Sequence, residues 1–188
     1  MQAFELSRAF DYKWTVSWKC VPSRVFSDPA FASALLALHV ALLLLLAHAR
    51  WCAPEGGLHR LLLGRRRDAP AAPRGGEADD APTAAARARA PLVLLLSCNF
   101  IGVACARTLH YQFYTWYFHA IPALLWHARL PTPLRLVLWL GIETAFNVYP
   151  ATWASSTMLQ LCHAALLIGL WRAPPDDVAP PPAKAKRK

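Results

Sequence analysis

The sequence predicts an all-α fold, a polytopic bundle of helices that crosses a membrane several times. Of the 188 residues, 56% are hydrophobic, and they are concentrated in long runs with basic residues between them. The clearest run, 29–49, carries no formal charge. At about 1.5 Å of rise per residue this run measures roughly 30 Å, which is the thickness of the hydrocarbon core of a bilayer.

Five runs are long and apolar enough to be predicted as transmembrane helices. A buried helix of a soluble protein is the alternative, but such helices are seldom apolar on every side over this length. The second and fourth runs are close to the lower length limit for a crossing. The predicted spans are 30–49, 91–107, 110–127, 134–149 and 152–171.

The connection 50–90 predicts the orientation of the bundle. It holds eight arginines against five acidic residues, and its Gly, Pro, Ala and charged composition from residue 64 onward predicts disorder. Basic connections remain in the cytoplasm, so the turns at 107–110 and 147–152 are expected outside. Residues 1–29 then form an outer (lumenal) segment, and 172–188 form a cytoplasmic tail.

The tail contains a candidate localisation signal. It ends in KAKRK, with Lys184 and Lys186 at the fifth and third positions from the end. This spacing matches a dilysine retrieval signal, which is active only on the cytoplasmic tail of an endoplasmic reticulum membrane protein. A solvated basic tail without that role is the alternative. We therefore expect a multi-pass protein of that membrane with a cytoplasmic C-terminus.

The positive charge of the chain has a topological explanation. A net charge of +9 could indicate a nucleic-acid partner, but most of the excess flanks apolar runs, so we predict membrane lipid and no nucleic acid. The five cysteines form no CxxC pair and no metal-ligand spacing with histidine. Neither a nucleotide-phosphate loop nor an Asp-x-Asp metal pair occurs, and no metal or other cofactor is predicted.

Residues 107–122, RTLHYQFYTWYFHAIP, form what we call the aromatic block. It contains six aromatic rings, two histidines and a glutamine between two aliphatic runs. A helix that only fills a bilayer would use leucine, as 35–46 does. One interpretation is an aromatic belt at the membrane interface with polar groups that connect helices. The other is a surface that contacts a ligand.

Three stretches resemble one known family, the dolichyl-phosphate-mannose-dependent α-1,3-mannosyltransferase of the endoplasmic reticulum. They are YKWTVSW (12–18) with VPSRVF after it, SCNFIGVACARTLHYQFYTWYFHAIPALLW (97–126) and ETAFNVYPAT (143–152). Ala106 stands where a serine is expected, and Ser17 stands where an asparagine is expected.

The resemblance implies a family-C type glycosyltransferase that needs no cofactor. Its donor would be dolichyl-phosphate mannose and its acceptor a pentamannosyl dolichol-diphosphate oligosaccharide. The superfamily usually carries an essential acidic residue in its first lumenal loop, and no part of this chain corresponds to that loop. We therefore expect a C-terminal portion of a longer enzyme, or an incomplete gene model, whose catalytic residues are unknown.

The resemblance also implies that part of the aromatic block faces the donor or the acceptor. Rings suit an isoprenoid chain and the CH faces of a sugar, and Arg107 is suited to the phosphate. Glu143 and Asn147 share a helical face, which could point at the cavity or at another helix. The predicted substrate-binding residues are Arg107, His110, Tyr111, Gln112, Tyr114, Trp116, Tyr117, His119, Glu143 and Asn147.

Two further expectations come from the predicted spans. His39, His119 and His163 lie inside them and are expected to make satisfied contacts between helices. A non-catalytic polytopic protein, either a transporter subunit or a scaffold, is the alternative function. Secondary transporters commonly contain an internal repeat, and five spans show none.

Overall fold

The computed structural model describes residues 12, 14–53, 56–64 and 84–173, and every regular element in these ranges is helical. Outside them lie residues 1–11 and 13 of the predicted outer segment 1–29, most of the basic loop 50–90, and residues 174–188 of the predicted tail, with Lys184 and Lys186. The elements are α1 (Ser23–Ser27), α2 (Pro29–Leu46), a π-helical turn (Ala47–Trp51), α3 (Leu58–Leu62), α4 (Ala84–Cys105), a 3-10 helix (Tyr111–Trp116), α5 (Ala120–His127), α6 (Thr132–Asn147) and α7 (Trp153–Arg172).

Among the described residues, two helical segments are long and apolar enough to cross a membrane by length and composition. They are Pro29–Trp51, which joins α2 to its π-helical turn, and Trp153–Arg172, which is α7. A shorter apolar helix covers Pro91–Cys105 within α4. The first two segments agree with the predicted spans 30–49 and 152–171 to within about two residues at each end.

The predicted third span, 110–127, is not one helix. The structure divides it into the 3-10 helix and α5, because the chain leaves helical geometry at Tyr117, where φ is −140°. Pro122 provides the physical reason. A continuous α-helix would need an N–H at residue 122 to bond the carbonyl of Phe118, and proline has none and clashes with that carbonyl. In the first turn of α5 the missing N–H costs nothing.

Local capping explains where the two long segments begin. The side chain of Asp28 accepts a hydrogen bond from the backbone N–H of Ala30 at 2.8 Å, and Pro29 occupies the first position of α2. Thr152 and Ser155 form a reciprocal capping box at the start of α7. Both helices therefore start at positions that the sequence specifies.

The main core lies between α4, α5, α6 and α7. Its fully buried members include Phe100, Tyr117, Leu124, Ile142, Leu159 and Leu166. Small residues allow the helices to approach closely, as is usual in membrane bundles. A Cβ on Gly141 of α6 would lie 2.7 Å from Sγ of Cys162 on α7, and one on Gly169 of α7 would lie 3.1 Å from Cβ of Ala128.

α2 packs beside this core. Leu46 of α2 forms a second cluster with Ile101 and Cys105 of α4. Much of the remaining surface of α2 is exposed leucine, for example Leu36 at 62% and Leu45 at 54%. An apolar helix that leaves this surface uncovered is suited to contact with lipid.

Three chain segments meet at one end of the bundle, which we call the aromatic end: 14–31, 106–117 and 147–156. The N–H of Val16 donates to the carbonyl of Leu109 at 2.7 Å, and the hydroxyl of Tyr111 donates to the carbonyl of Val148 at 2.8 Å. The long helices therefore form two pairs of opposite direction. α2 and α7 begin at this end, whereas α4 and α6 finish there.

Candidate functional site

A network of polar side chains lies among aromatic rings beside the aromatic end. The hydroxyl of Tyr114 donates to Oε2 of Glu143. Nδ2 of Asn147 donates to the other carboxylate oxygen at 3.1 Å and to the main-chain carbonyl of Glu143 at 2.8 Å. The expected shared face of Glu143 and Asn147 is therefore confirmed. Glu143 is half-buried and Asn147 is exposed, so the network is open on one side.

Stacked rings hold Tyr114 in position for this hydrogen bond. Its ring lies 4.6 Å from that of Phe146 in a stacked arrangement and 5.6 Å from that of Phe118. Phe146 belongs to α6, one residue before Asn147. α6 therefore supplies the carboxylate, the amide and the ring that orient the tyrosine of the 3-10 helix.

Tyr117 faces inward, away from this opening. Its side chain is fully buried, and its hydroxyl lies 3.0 Å from Nε2 of His163 on α7. The ring of Phe100 on α4 packs against both. The expected contact of His163 with another element is confirmed through Nε2, but its buried Nδ1 has no hydrogen-bond partner among the described residues, so the imidazole is only half satisfied. The structure assigns Tyr117 to helix packing, so its predicted contact with substrate would require a rearrangement of the core.

A second group of predicted residues surrounds a pocket at the aromatic end. The pocket measures about 270 Å³ and is lined by Trp14, His110, Tyr111 and Gln112. Nδ1 of His110 lies 3.3 Å from the carbonyl of Trp14, and Gln112 is exposed. The amide and the imidazole can both hydrogen-bond a polar ligand here, and the rings supply flat apolar walls.

Arg107 contacts the N-terminal segment. Its Nη1 donates to the carbonyl of Phe26 at 3.3 Å, and its guanidinium carbon lies 5.8 Å above the ring of Phe26. The side chain is half-buried at the aromatic end. It connects 106–117 to α1.

The structure separates the last two predicted residues from these groups. Trp116 is 60% exposed, its ring meets Phe113 edge-on at 4.4 Å, and it lines a different cavity between α2 and α4. His119 is exposed and lies edge-on to its chain neighbour Phe118 at 5.7 Å. This is not the contact with another helix expected for His119. His39 is half-buried and lines the same cavity as Trp116.

Sequence reasoning missed a buried polar connection at the aromatic end. Ser17 is fully buried, and its carbonyl accepts hydrogen bonds from the hydroxyl of Ser156 and, at 3.1 Å, from Nε2 of Gln160. The indole of Trp18 donates to the carbonyl of Ala106 at 2.9 Å. The serine hydroxyl of Ser17 lies within 3.4 Å of that carbonyl as well. The polar face of α7 was the available signal, because Ser156 and Gln160 are four residues apart.

The arrangement is suited to binding and orienting a polar ligand, because a carboxylate, an amide, an imidazole and several hydroxyls lie among aromatic rings. Within the ranges that the structure describes, no three histidine, cysteine or acidic side chains are grouped so that they could hold a metal ion. The described side chains at this site offer hydrogen bonding, ring stacking and charge.

Comparison with known proteins identifies close relatives of the chain. A model of the ALG3 protein family matches residues 1–156. The Arabidopsis thaliana protein named Dol-P-Man:Man(5)GlcNAc(2)-PP-Dol alpha-1,3-mannosyltransferase is 41% identical over 175 residues, which are 93% of this chain and 40% of the plant protein. Proteins of the same name from Mus musculus and Homo sapiens are 41% and 40% identical over 176 residues, 92% of this chain and 38% of each relative.

The chain spans about two fifths of the length of these curated relatives. No solved structure matches it.

Proposed function

The chain belongs to the ALG3 protein family, and we propose that it takes part in the transfer of an α-1,3-linked mannose from dolichyl-phosphate mannose to the pentamannosyl dolichol-diphosphate oligosaccharide of protein N-glycosylation. The observation that carries the proposal is the 41% identity, over 93% of the chain, to a relative named for this transfer. The chain spans 40% of that relative, so its share in the reaction is the point to be tested.

The proposed arrangement is a family-C type bundle in the endoplasmic reticulum membrane. The five crossings would be α2, α4, the aromatic block with α5, α6 and α7. The aromatic end would face the lumen and the C-terminus the cytoplasm. The directions of the helices support this arrangement, because α2 and α7 run opposite to α4 and α6, and the aromatic block with α5 returns the chain between α4 and α6. The excess of arginine in the connection 50–90 supports it as well.

The proposed role of the described site is to bind and orient the two substrates. Glu143, held by Tyr114 and Asn147, would accept hydrogen bonds from sugar hydroxyls. His110 and Gln112 would contact sugar or phosphate in the pocket with Trp14. Arg107 is suited to stabilise the phosphate, since its guanidinium lies at the same end.

The reaction would proceed by direct displacement with inversion. The acceptor's 3-hydroxyl oxygen attacks the anomeric carbon of mannose, the bond from that carbon to the phosphate oxygen breaks, and dolichyl phosphate leaves with the electron pair. The proton of the hydroxyl passes to a base, which we do not assign to any described residue. The described residues would contribute orientation and charge stabilisation.

Complementation tests this proposal. Residues 1–188 are expressed alone, and also fused behind the N-terminal part of a family member, in cells that lack the transferase, and the lipid-linked oligosaccharides are sized. Elongation of the pentamannosyl intermediate by the fusion supports the proposed role. Elongation by the chain alone would assign the base to these 188 residues. If neither form elongates the intermediate while both are present in the correct membrane, the proposed function is refuted.

A further inference from the structure

A cavity of about 250 Å³ lies between α2 and α4, beside the 3-10 helix. We call it the α2–α4 slot. Only one of its lining residues, Trp116, belongs to the predicted substrate-binding set. The residues that define it are His39, Cys98, Asn99, Gly102, Phe113 and Trp116.

The slot extends along α4 and reaches the aromatic end. It is lined by α4 from Cys98 onward and by Ala106 just beyond the helix, a distance of about 12 Å at 1.5 Å of rise per residue. Its width depends on Gly102, where an added Cβ would lie 3.7 Å from the imidazole of His39. A longer side chain at this position would occupy the slot.

The walls of the slot are mainly apolar and partly aromatic. Phe113 and Trp116 form one wall, and they are held there because Nδ2 of Asn99 donates to the carbonyl of Trp116 at 2.9 Å. Thr108 lines the slot at the aromatic end, and its buried hydroxyl has no hydrogen-bond partner among the described residues. A ligand that fits the slot therefore has an apolar chain, which lies along the slot, and a polar group, which lies at the aromatic end near Thr108.

We propose that the α2–α4 slot binds the part of the isoprenoid chain next to the phosphate of a lipid-linked substrate. This inference rests on the proposed function and names the part of the substrate that the slot receives. A single branched chain suits a single groove between two helices, with flat rings against its methyl groups and double bonds. The phosphate would then lie at the aromatic end, near Thr108 and the neighbouring Arg107.

Photolabelling of the full chain in lipid vesicles tests this assignment. The probe is a polyprenyl phosphate that carries a diazirine on the isoprene units next to its phosphate, and labelled positions are mapped by mass spectrometry. A phosphatidic acid with a diazirine on one acyl chain is the comparison probe, since it has the same type of headgroup charge. We expect the polyprenyl probe to label 98–116 and His39, and the acyl probe to label the exposed leucines of α2.

Variants at Gly102 provide a graded control. Gly102→Leu fills the slot and is expected to lower labelling of 98–116 about tenfold, whereas Gly102→Ala makes an ordinary contact with His39 and lowers it little. Leu95→Phe is the matched control, because Leu95 lies on the same helix, is 65% exposed and does not line the slot. Thermal unfolding identifies any variant that fails to fold, and the mapping on the unmodified chain does not depend on a variant.

The outcomes separate this inference from the proposed function. Polyprenyl label distributed over the lipid-facing leucines would overturn the slot assignment, as would equal labelling of 98–116 by the acyl probe. Binding is detected without any transfer of mannose. Labelling of the slot together with failed complementation would therefore support the slot assignment and refute the proposed function. Successful complementation with the label at other positions would support the proposed function and overturn the slot assignment.

Discussion

The phenolic hydroxyl of Tyr114, in the 3-10 helix, donates a hydrogen bond to the carboxylate of Glu143, near the C-terminal end of α6. Asn147 donates to the second carboxylate oxygen at 3.1 Å. A carboxylate inside an apolar bundle is costly unless such partners satisfy its oxygens. The tyrosine and the asparagine therefore fix the position of an acidic group beside the aromatic end.

Tyr114→Phe removes this hydrogen bond and keeps the ring that stacks on Phe146. We expect it to lower the free energy of unfolding by about 1.5–3 kcal/mol, because the lost partner is a charged group. Thermal unfolding of the detergent-solubilised protein measures the change. Tyr111→Phe is the matched control, because it loses a neutral bond to the carbonyl of Val148, about 1 kcal/mol. Equal losses in the two variants would contradict a special role for Glu143.

Glu143→Gln separates the charge of this residue from its structural contacts. The amide has nearly the same size, and its oxygen can still accept from Tyr114. We expect a loss of less than about 1.5 kcal/mol in unfolding free energy, and at least about a tenfold drop in elongation by whichever form complements. Unchanged elongation together with a large loss of stability would assign Glu143 to helix packing alone.

Gly141→Ala tests the close contact between α6 and α7. The new Cβ would meet Sγ of Cys162 at 2.7 Å, so the helices must separate, and we expect a loss of about 1–3 kcal/mol in unfolding free energy. Gly102→Ala is the control, because its Cβ would lie at an ordinary 3.7 Å from His39. The prediction fails if the two variants unfold at the same temperature.

The proposed orientation predicts which side of the membrane each end of the bundle faces. Tyr149 and Leu62 are 64% and 76% exposed, and they lie near opposite ends of the long helices. We expect Tyr149→Cys to react with an impermeant thiol reagent only from the lumen, and Leu62→Cys only from the cytoplasm, in a background without the native cysteines. Labelling of both positions from one side would exclude the proposed arrangement.

The tail prediction concerns Lys184 and Lys186. We expect the double change Lys184→Ser and Lys186→Ser to move part of the protein out of the endoplasmic reticulum, because coat machinery would no longer retrieve it. Fluorescence microscopy against compartment markers measures the distribution. Arg187→Ser is the control, because it removes one charge from the same tail and leaves both lysines. An unchanged distribution of the double variant would refute the retrieval signal.

The positions of α2 and α7 could be predicted from the sequence, because both helices depend on local features of the chain. Each is a long run without acidic residues, and each starts at a recognisable cap, Asp28 with Pro29 or Thr152 with Ser155. The sequence was insufficient for the aromatic block, where the apolar character of 110–127 suggested one helix. Pro122 was the local signal against that prediction, since it has no N–H for the carbonyl of Phe118 and clashes with that carbonyl.

The candidate site shows the same limit. Glu143 and Asn147 could be paired from the sequence, because their contact depends only on helical spacing. The partnership of Glu143 with Tyr114 could not, because the two residues are 29 positions apart and lie on different elements. The α2–α4 slot is less predictable still, since it depends on the absence of a side chain at Gly102 opposite His39.

The contacts of Ser17 have a consequence for the order in which the protein assembles. Its partners Ser156 and Gln160 follow it in the chain by 139 and 143 residues, and Trp18 bonds a carbonyl 88 residues away. Ser17 is synthesised before these partners, so its carbonyl cannot bond Ser156 and Gln160 until α7 has been made and inserted. The aromatic end is therefore completed only once α7 is in place, and shortening the chain before Ser156 would leave the carbonyl of Ser17 without both of these donors.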